Sequence, residues 1–276
     1  MRADRIMAAG VLIGWVGAAA ATTGVPHTDV QLYLDADGST VKTGAVELDA
    51  SLNELSLTEN VRVFDGMFGE AGQSDFTDDP GFNASSNSLP NDVLLGFSFA
   101  DALRVWDPVG ENFDATAPTT ITMEKFGALA TTPTIAGTTA PGFLIATTGS
   151  SGGLHSHAAY YLDPPLTPGV YMLTLQLDLQ SPSLTDPEPI YVVLGYQVTE
   201  AEVEAAASWQ AAAIAPPACP GDVTADGSTD VSDFFILASN FGTPSGADRA
   251  AGDLTDDGAV DVSDFFILAS DFGCPN

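Results

Sequence analysis

Positive charge is what this chain most lacks. Seven lysines and arginines face 37 aspartates and glutamates, a formal net charge of −30. Nucleic acid and anionic membrane surfaces are therefore poor partners, because both repel a polyanion. The same imbalance opposes collapse unless cations bind. Long apolar runs are scarce too: after residue 21 none is long enough to cross a bilayer. Gly149-Ser-Ser-Gly-Gly153 matches the Gly-x-Ser-x-Gly string, but a strand-like run rather than a helix follows it, so the strand-to-helix nucleophile elbow of the α/β-hydrolases is not expected. A glycosidase needs two positioned carboxylates, and so many acids supply candidates without marking a pair. The expectation is a protein without catalytic activity. The chain is nonetheless 45% hydrophobic, enough for a real core in one medium domain plus a small module.

Arg2 and Arg5 precede an apolar run from Ile6 to Ala21 that ends in Ala18-Ala-Ala-Ala. That is the pattern of a secretory signal peptide over 1–21, cleaved near Ala20 or Ala21. The mature protein is expected outside the cell or tethered to its surface. From 22 to 198, short β-compatible runs alternate with Gly, Pro, Asp and Ser: 29–35, 61–64, 93–99, 103–107, 119–126, 142–146, 155–162, 169–178 and 190–197. Tyr171-Met-Leu-Thr-Leu-Gln-Leu-Asp-Leu alternates with period two, the mark of a half-buried strand. Many short strands without intervening helices predict a mainly β fold, an antiparallel β-sandwich. The stretch 65–90, rich in Gly, Asp, Asn and Ser, is expected to be a surface loop. Thr199 and Glu202 form a capping-box pattern, so 199–218 reads as a helix, with Val203, Ala206 and Trp209 inward, running into a Pro-rich linker. If the sandwich holds polysaccharide, Trp106, Tyr160 and Tyr161 are its candidate platforms, although sandwich aromatics more often belong to the core.

The segment 219–276 is built from a repeat: residues 221–242 recur at 252–273, an offset of 31 from Asp222 to Asp253. Counting from Asp222, oxygen side chains stand at positions 1, 3, 5, 9 and 12, which are Asp222, Thr224, Asp226, Asp230 and Asp233. Gly227 occupies position 6, where the chain must turn sharply, and Ser228 at position 7 offers its carbonyl. The second copy gives Asp253, Thr255, Asp257, Gly258, Ala259, Asp261 and Asp264. Calcium takes about six to eight oxygen ligands, and this spacing supplies them. Crowded carboxylates repel one another without a cation. Asp-Gly turns are common in acidic loops, but two copies in register predict two Ca2+ sites. Each loop runs into a short helix, 234–239 and 265–270, with Phe234, Leu237, Ala238 and Phe241 at i, i+3, i+4 and i+7 and a stop at Gly242. Ala215-Pro-Pro-Ala-Cys-Pro forbids the entering helix of an ordinary EF-hand.

Loop then helix, twice, resembles a type I dockerin, a module that docks onto cohesin domains in secreted assemblies. As in dockerins, Asp rather than Glu closes each loop at position 12. Two positions depart from the pattern. Position 3 is Thr in both copies where dockerins carry Asn or Asp, and position 8 of the first loop is Thr229 rather than Ile or Val. The resemblance implies a cohesin-like partner, read by positions 10 and 11 with help from the helices. These are Val231 and Ser232 in the first copy and Val262 and Ser263 in the second. It also implies that the ends of the module meet. Cys219 and Cys274, the only cysteines, flank the repeats as in the cysteine-bracketed variant called the GC-type dockerin, so a disulfide is expected. Such a clasp stabilises by about 4 kcal/mol in the chain-entropy account.

Histidine offers the other chemical signal: His27, His155 and His157 are the only three. His155 and His157, two apart, would share a face if they lie on one strand. His27 and Asp29 have the same spacing at the entry to the first strand. Imidazoles on one face, joined by His27 and Asp29, suit zinc, copper or manganese; the same spacing also arises in histidines at a core edge that bind nothing. His27-Thr-Asp-Val, Gly153-Leu-His-Ser-His-Ala-Ala-Tyr-Tyr-Leu and Pro168-Gly-Val-Tyr-Met-Leu-Thr-Leu are similar to exported β-sandwich surface proteins of the choice-of-anchor M, or actinobacterial surface-anchored, type. Their pattern opens with His-x-Asp-Val and closes with His-x-His and Pro-Gly-x-Tyr. That resemblance implies a non-catalytic surface protein with an interchangeable C-terminal anchor, which a dockerin would satisfy. Members often accompany metal-uptake systems, so it also implies handling of Zn2+ or Cu2+. The alternative is a carbohydrate-binding or polysaccharide-degrading component of an extracellular assembly.

Overall fold

The computed structural model describes residues 27–215 and 219–274; the expected signal peptide lies outside them. The chain divides into two units, 1–211 and 212–276. Among its described residues the first unit holds sixteen strands, numbered in chain order. A five-stranded sheet contains β1 (His27–Leu34), β2 (Val41–Leu48), β3 (Glu54–Glu59), β6 (Phe82–Ala84) and β13 (Leu154–Ser156), in the order β13-β6-β1-β2-β3. A four-stranded sheet contains β5 (Phe76–Thr77), β10 (Ile121–Lys125), β11 (Ala128–Thr131) and β14 (Ala159–Leu162), in the order β11-β10-β14-β5. The other seven are β4 (Val63–Met67), β7 (Leu94–Phe99), β8 (Arg104–Asp107), β9 (Asn112–Thr116), β12 (Ala140–Thr147), β15 (Gly169–Leu179) and β16 (Ile190–Tyr196). Five of these run β12-β7-β15-β16-β4, and the β8–β9 pair joins at β15. Strand pairing is antiparallel except at β1–β6 and β16–β4. The fold is mainly β, as the alternating runs predict.

Side chains from all three sheets meet in one core that includes Val30, Leu32, Phe82, Phe99, Ile121, Tyr160, Leu173 and Leu175. Period two decides which residues of β15 point there. Its odd-numbered Tyr171, Leu173, Leu175 and Leu177 enter this core. Val170 and Met172 face the other way, onto Val203, Ala206 and Ala207 of helix α1 (Glu200–Ile214). Expected to be half-buried, β15 is therefore covered on both faces over 170–175, because α1 packs against it. Burying a side chain such as Val203 contributes about 1.5–3 kcal/mol. The helix starts at the expected capping box: the Thr199 amide donates to Glu202 Oε2 at 2.9 Å and the Glu202 amide to Thr199 Oγ1 at 3.3 Å. Up to residue 211 it belongs to the first unit rather than to a linker.

Two further expectations fail, and both failures matter for the site. The stretch 65–90 is not a surface loop. It supplies β5 and β6 and buries Phe68, Phe82, Ala84 and Leu89. Strands of two and three residues leave no alternation to read. The expected single strand 155–162 is also two strands. β13 joins the five-stranded sheet, β14 joins the four-stranded one, and His157 stands at the step between them.

In the second unit, α2 (Val231–Asn240) and α3 (Val262–Asp271) each start three residues earlier than expected. Asp230 and Asp261 cap them, in capping boxes closed by Asp233 and Asp264. The small core is Val223, Leu237, Leu254, Val260 and Leu268. Of the four apolar positions at helical spacing, Leu237 is buried, while Phe234, Ala238 and Phe241 are exposed. The copies interlock at loop position 8. The Gly273 amide donates to the Thr229 carbonyl and the Gly242 amide to the Val260 carbonyl, each at 2.8 Å. The hydroxyl of Thr229 donates to Asp271 Oδ2 at 2.6 Å, which gives this departure from Ile or Val a local role. Cys219 and Cys274 form a disulfide with Cα atoms 5.7 Å apart.

Candidate metal centre

β6 lies between β13 and β1, and its pairing fixes who meets whom. His155 stands opposite Asn83, and Val30 opposite Phe82. That register brings His155 across β6 towards His27 and Asp29 at the start of β1. Asp29 is fully buried. Its Oδ1 accepts the Gly81 amide at 2.9 Å. Its Oδ2 lies 3.7 Å from His27 Nε2, 3.2 Å from His155 Nδ1 and 3.8 Å from His157 Nε2. Within this group of four, one ligand atom from each residue lies within 4.8 Å of all the others. Close approach depends on Gly81: a Cβ there would lie 2.6 Å from His157 Nε2 and 2.8 Å from Asp29 Oδ1.

The donor set fits a metal ion. Asp29 Oδ2 and His155 Nδ1 are buried, close together and without hydrogen bonds. Leaving polar atoms so is costly unless a cation or proton joins them. A tetrahedral ion with bonds of about 2.0–2.1 Å sets its ligands about 3.3 Å apart, close to the separations here. Three imidazoles and one carboxylate suit zinc or copper better than calcium. The far side of His157 is held as well: Nδ1 lies 2.8 Å from the Asp78 carbonyl, which can only accept, so Nδ1 carries the hydrogen and Nε2 faces the cluster. Burial alone would lower the His157 pKa, but Asp79, Asp29 and the Asp78 carbonyl outweigh it and push it up to about 9. Without metal, that shift favours the protonated ring, facing Asp79 and Asp29; a metal ion would replace the Nε2 proton. A cleft of about 420 Å³ beside the cluster is lined by His27, Asp65, Glu70 and Asp79 among others. A larger hollow of about 560 Å³ lies elsewhere, against α1, and its Arg104 is already paired with Asp101 at 2.6 Å.

Sequence reasoning brought in the three histidines and Asp29. It missed Asp78, Asp79 and Gly81, which lie in the stretch misread as loop. Thr77-Asp-Asp-Pro-Gly-Phe was a visible but unweighted signal. The aromatic platforms fare worse. Tyr160 is fully buried with its hydroxyl on the Pro80 carbonyl, Trp106 packs on Phe113 and Trp209, and Tyr161 packs on Phe76.

In the second unit the loop carboxylates are aimed by backbone amides. Asp222 accepts from Asp226 at 3.2 Å and Gly227 at 2.8 Å, and Asp253 accepts from Asp257 at 3.2 Å and Gly258 at 2.7 Å. Gly227 and Gly258 have φ of 91° and 85°, the left-handed turn expected at position 6. Asp233 and Asp264 at position 12 are fully buried. Burial works to raise the Asp233 carboxyl, and the amides of Asp230, Thr224 and Val223 hold it below the usual range. Thr224 and Thr255 hydrogen-bond to Asp222 and Asp253 within their loops. Asp226 and Asp257 accept from Ser228 and Ala259, and Asp230 and Asp261 cap the helices. This all-oxygen set fits calcium, although its carboxylates are not gathered as tightly as the histidine cluster. Val231, Phe234 and Phe235 of α2 and Val262, Phe265 and Phe266 of α3 are exposed, and the Phe234 and Phe265 rings are 6.5 Å apart. They make one apolar patch across both copies, beside Ser232 and Ser263.

No family model matches the chain, and no curated protein matches it. Among solved structures it is similar to the CooA pilin subunit from enterotoxigenic Escherichia coli, at 13% identity and a TM-score of 0.25, over 63% of this chain and 100% of that one.

Proposed function

We propose that this is an exported, non-catalytic metal-binding protein with its own docking module. The first unit holds one transition-metal ion, zinc or copper, on His27, Asp29, His155 and His157. The observation that carries this reading is the convergence of three imidazole nitrogens to within 3.8 Å of one buried carboxylate oxygen, Asp29 Oδ2. The test is metal content of the full chain after zinc loading in calcium buffer and dialysis. One zinc per chain is expected, lost in His155→Ala. A wild-type chain that retains none refutes the reading.

The second unit, in this reading, is a calcium-stabilised dockerin-like module that attaches the chain to a cohesin-like partner. The exposed apolar patch across α2 and α3 favours it, since contiguous exposed aromatic surface marks interaction sites. Calorimetry against a cohesin domain in calcium and in chelator tests it, with binding expected in calcium alone. No binding in either buffer overturns it.

A further inference from the structure

Beside the histidine cluster lies a second group of charges that the first reading does not use. Asp78 is 4% exposed, and its Oδ1 is buried without a hydrogen bond. Asp79 Oδ1 is buried without one too, 3.3 Å from His157 Nδ1. Ligand atoms of Asp78, Asp79 and His157 lie within 4.8 Å of one another. Glu70, from the short helical turn Glu70–Gly72, lies beside the group: its Oε2 accepts the Asp78 amide at 3.0 Å. Burial raises the Glu70 carboxyl most, the Asp78 amide opposes it, and the Asp78 side chain and then the charge of Asp79 push it further up, to about 7. Asp78 and Asp79 thus converge with Glu70 beside them, and Asp78 Oδ1 and Asp79 Oδ1 have no hydrogen-bond donor among the described residues.

The neighbouring cations answer this only in part: the His157 ring lies 3.3 Å from Asp79 Oδ1, and nothing comparable faces Asp78 Oδ1 among the described residues. Lys125 donates through Nζ to the His157 carbonyl rather than to either buried oxygen. The Nδ1 proton of His157 is directed to the Asp78 carbonyl. Glu70 and Asp79 both line the cleft of about 420 Å³, which gives an ion a route from solvent.

We propose that Glu70, Asp78 and Asp79 form a second cation subsite, suited to a hard divalent ion, separated from the first site by the His157 ring. The carboxylates supply oxygen alone, the preference of calcium, magnesium or manganese, whereas the other face of the ring is nitrogen-rich. The subsite shares its His157 wall with the proposed transition-metal site but uses different ligands.

Manganese, which has an anomalous X-ray signal and an electron-spin signal, is the probe. Crystals of the full chain soaked in manganese chloride should show an anomalous peak bounded by Asp78, Asp79 and Glu70. In solution, Asp78→Asn/Asp79→Asn should bind one manganese fewer than wild type, read from the free-ion spin signal. Glu70→Gln, which leaves both buried aspartates in place, should weaken the site at least tenfold and guards against a misfolded double variant. No peak at the carboxylates, or equal manganese binding by wild type and both variants, overturns the subsite. Zinc retained in that case leaves the imidazole site standing; zinc absent with the manganese peak present removes the imidazole site alone.

Discussion

Gly81→Ala is the smallest change that should dismantle the metal centre. The new methyl would lie 2.6 Å from His157 Cε1 and Nε2 and 2.8 Å from Asp29 Oδ1. Carbon contacts relax near about 3.5–4.0 Å, so the ring or the methyl must withdraw by roughly 1 Å. Neither neighbour gives easily: His157 Nδ1 is tied to the Asp78 carbonyl, and Asp29 is fully buried on the Gly81 amide. Overpacking of this kind costs about 1–3 kcal/mol. At about 2–4 °C per kcal/mol for a unit of this size, the metal-free melting temperature should fall by roughly 2–12 °C. The second effect is the sharper one. Zinc at a hundred times its Kd should stabilise the wild-type unit by about 2.7 kcal/mol, whereas a His157 nitrogen displaced by roughly 1 Å lies outside a bond of about 2.0–2.1 Å. The variant should show little or no zinc shift. Trp106 and Trp209 both lie in the first unit, and the third tryptophan, Trp15, lies in the expected signal peptide. Tryptophan fluorescence therefore reports melting of the first unit within the full chain. Wild-type melting and a full zinc shift in Gly81→Ala would refute the reasoning.

The His157 pKa, raised from 6.5 to about 9, sets a pH dependence for metal-free protein: its contribution is complete below about pH 6.5 and lost as pH rises through about 9. Melting in chelator should fall over that window, with the slope reduced in His157→Gln, while zinc affinity should rise because the ion competes with a proton. For the second unit, chelation should unfold α2 and α3 and lower the far-ultraviolet helix signal, calcium should restore it, and Asp222→Ala with Asp253→Ala should abolish the response; an unchanged spectrum counts against calcium folding. Because Val231 and Ser232 repeat as Val262 and Ser263, Val231→Asp/Ser232→Asp or Val262→Asp/Ser263→Asp alone should cost only about 0.4 kcal/mol of cohesin affinity in calorimetry, the loss of one of two equivalent modes. All four changes should eliminate binding, and elimination by either pair alone would rule out two modes.

The sequence carried the β class and the second unit most legibly, because each rests on a repeating pattern. The period-two run of β15 and the loop spacing of the two copies are local signals that packing did not overrule. The histidine cluster was only partly legible. His155 and His157 share a neighbourhood through the step between β13 and β14, not through one continuous strand. Their meeting with Asp29 depends on β6, three residues long and too short to show periodicity. Asp78, Asp79 and Gly81 sit in the same stretch, so the misreading of 65–90 hid half of the site's surroundings. The outward turn of Phe234 and Phe265 was likewise hidden, since helical spacing marks an apolar stripe without saying whether this chain or a partner covers it.

The central claim is that the imidazoles of the first unit ligate a metal ion. X-ray absorption at the zinc edge, on full chain carrying one equivalent of zinc, addresses it most directly. A nitrogen and oxygen shell at about 2.0–2.1 Å with the outer-shell scattering of three imidazole rings is expected, lost in His155→Ala/His157→Ala. An all-oxygen shell without imidazole scattering, unchanged in that variant, would place the zinc on carboxylates elsewhere and contradict the account.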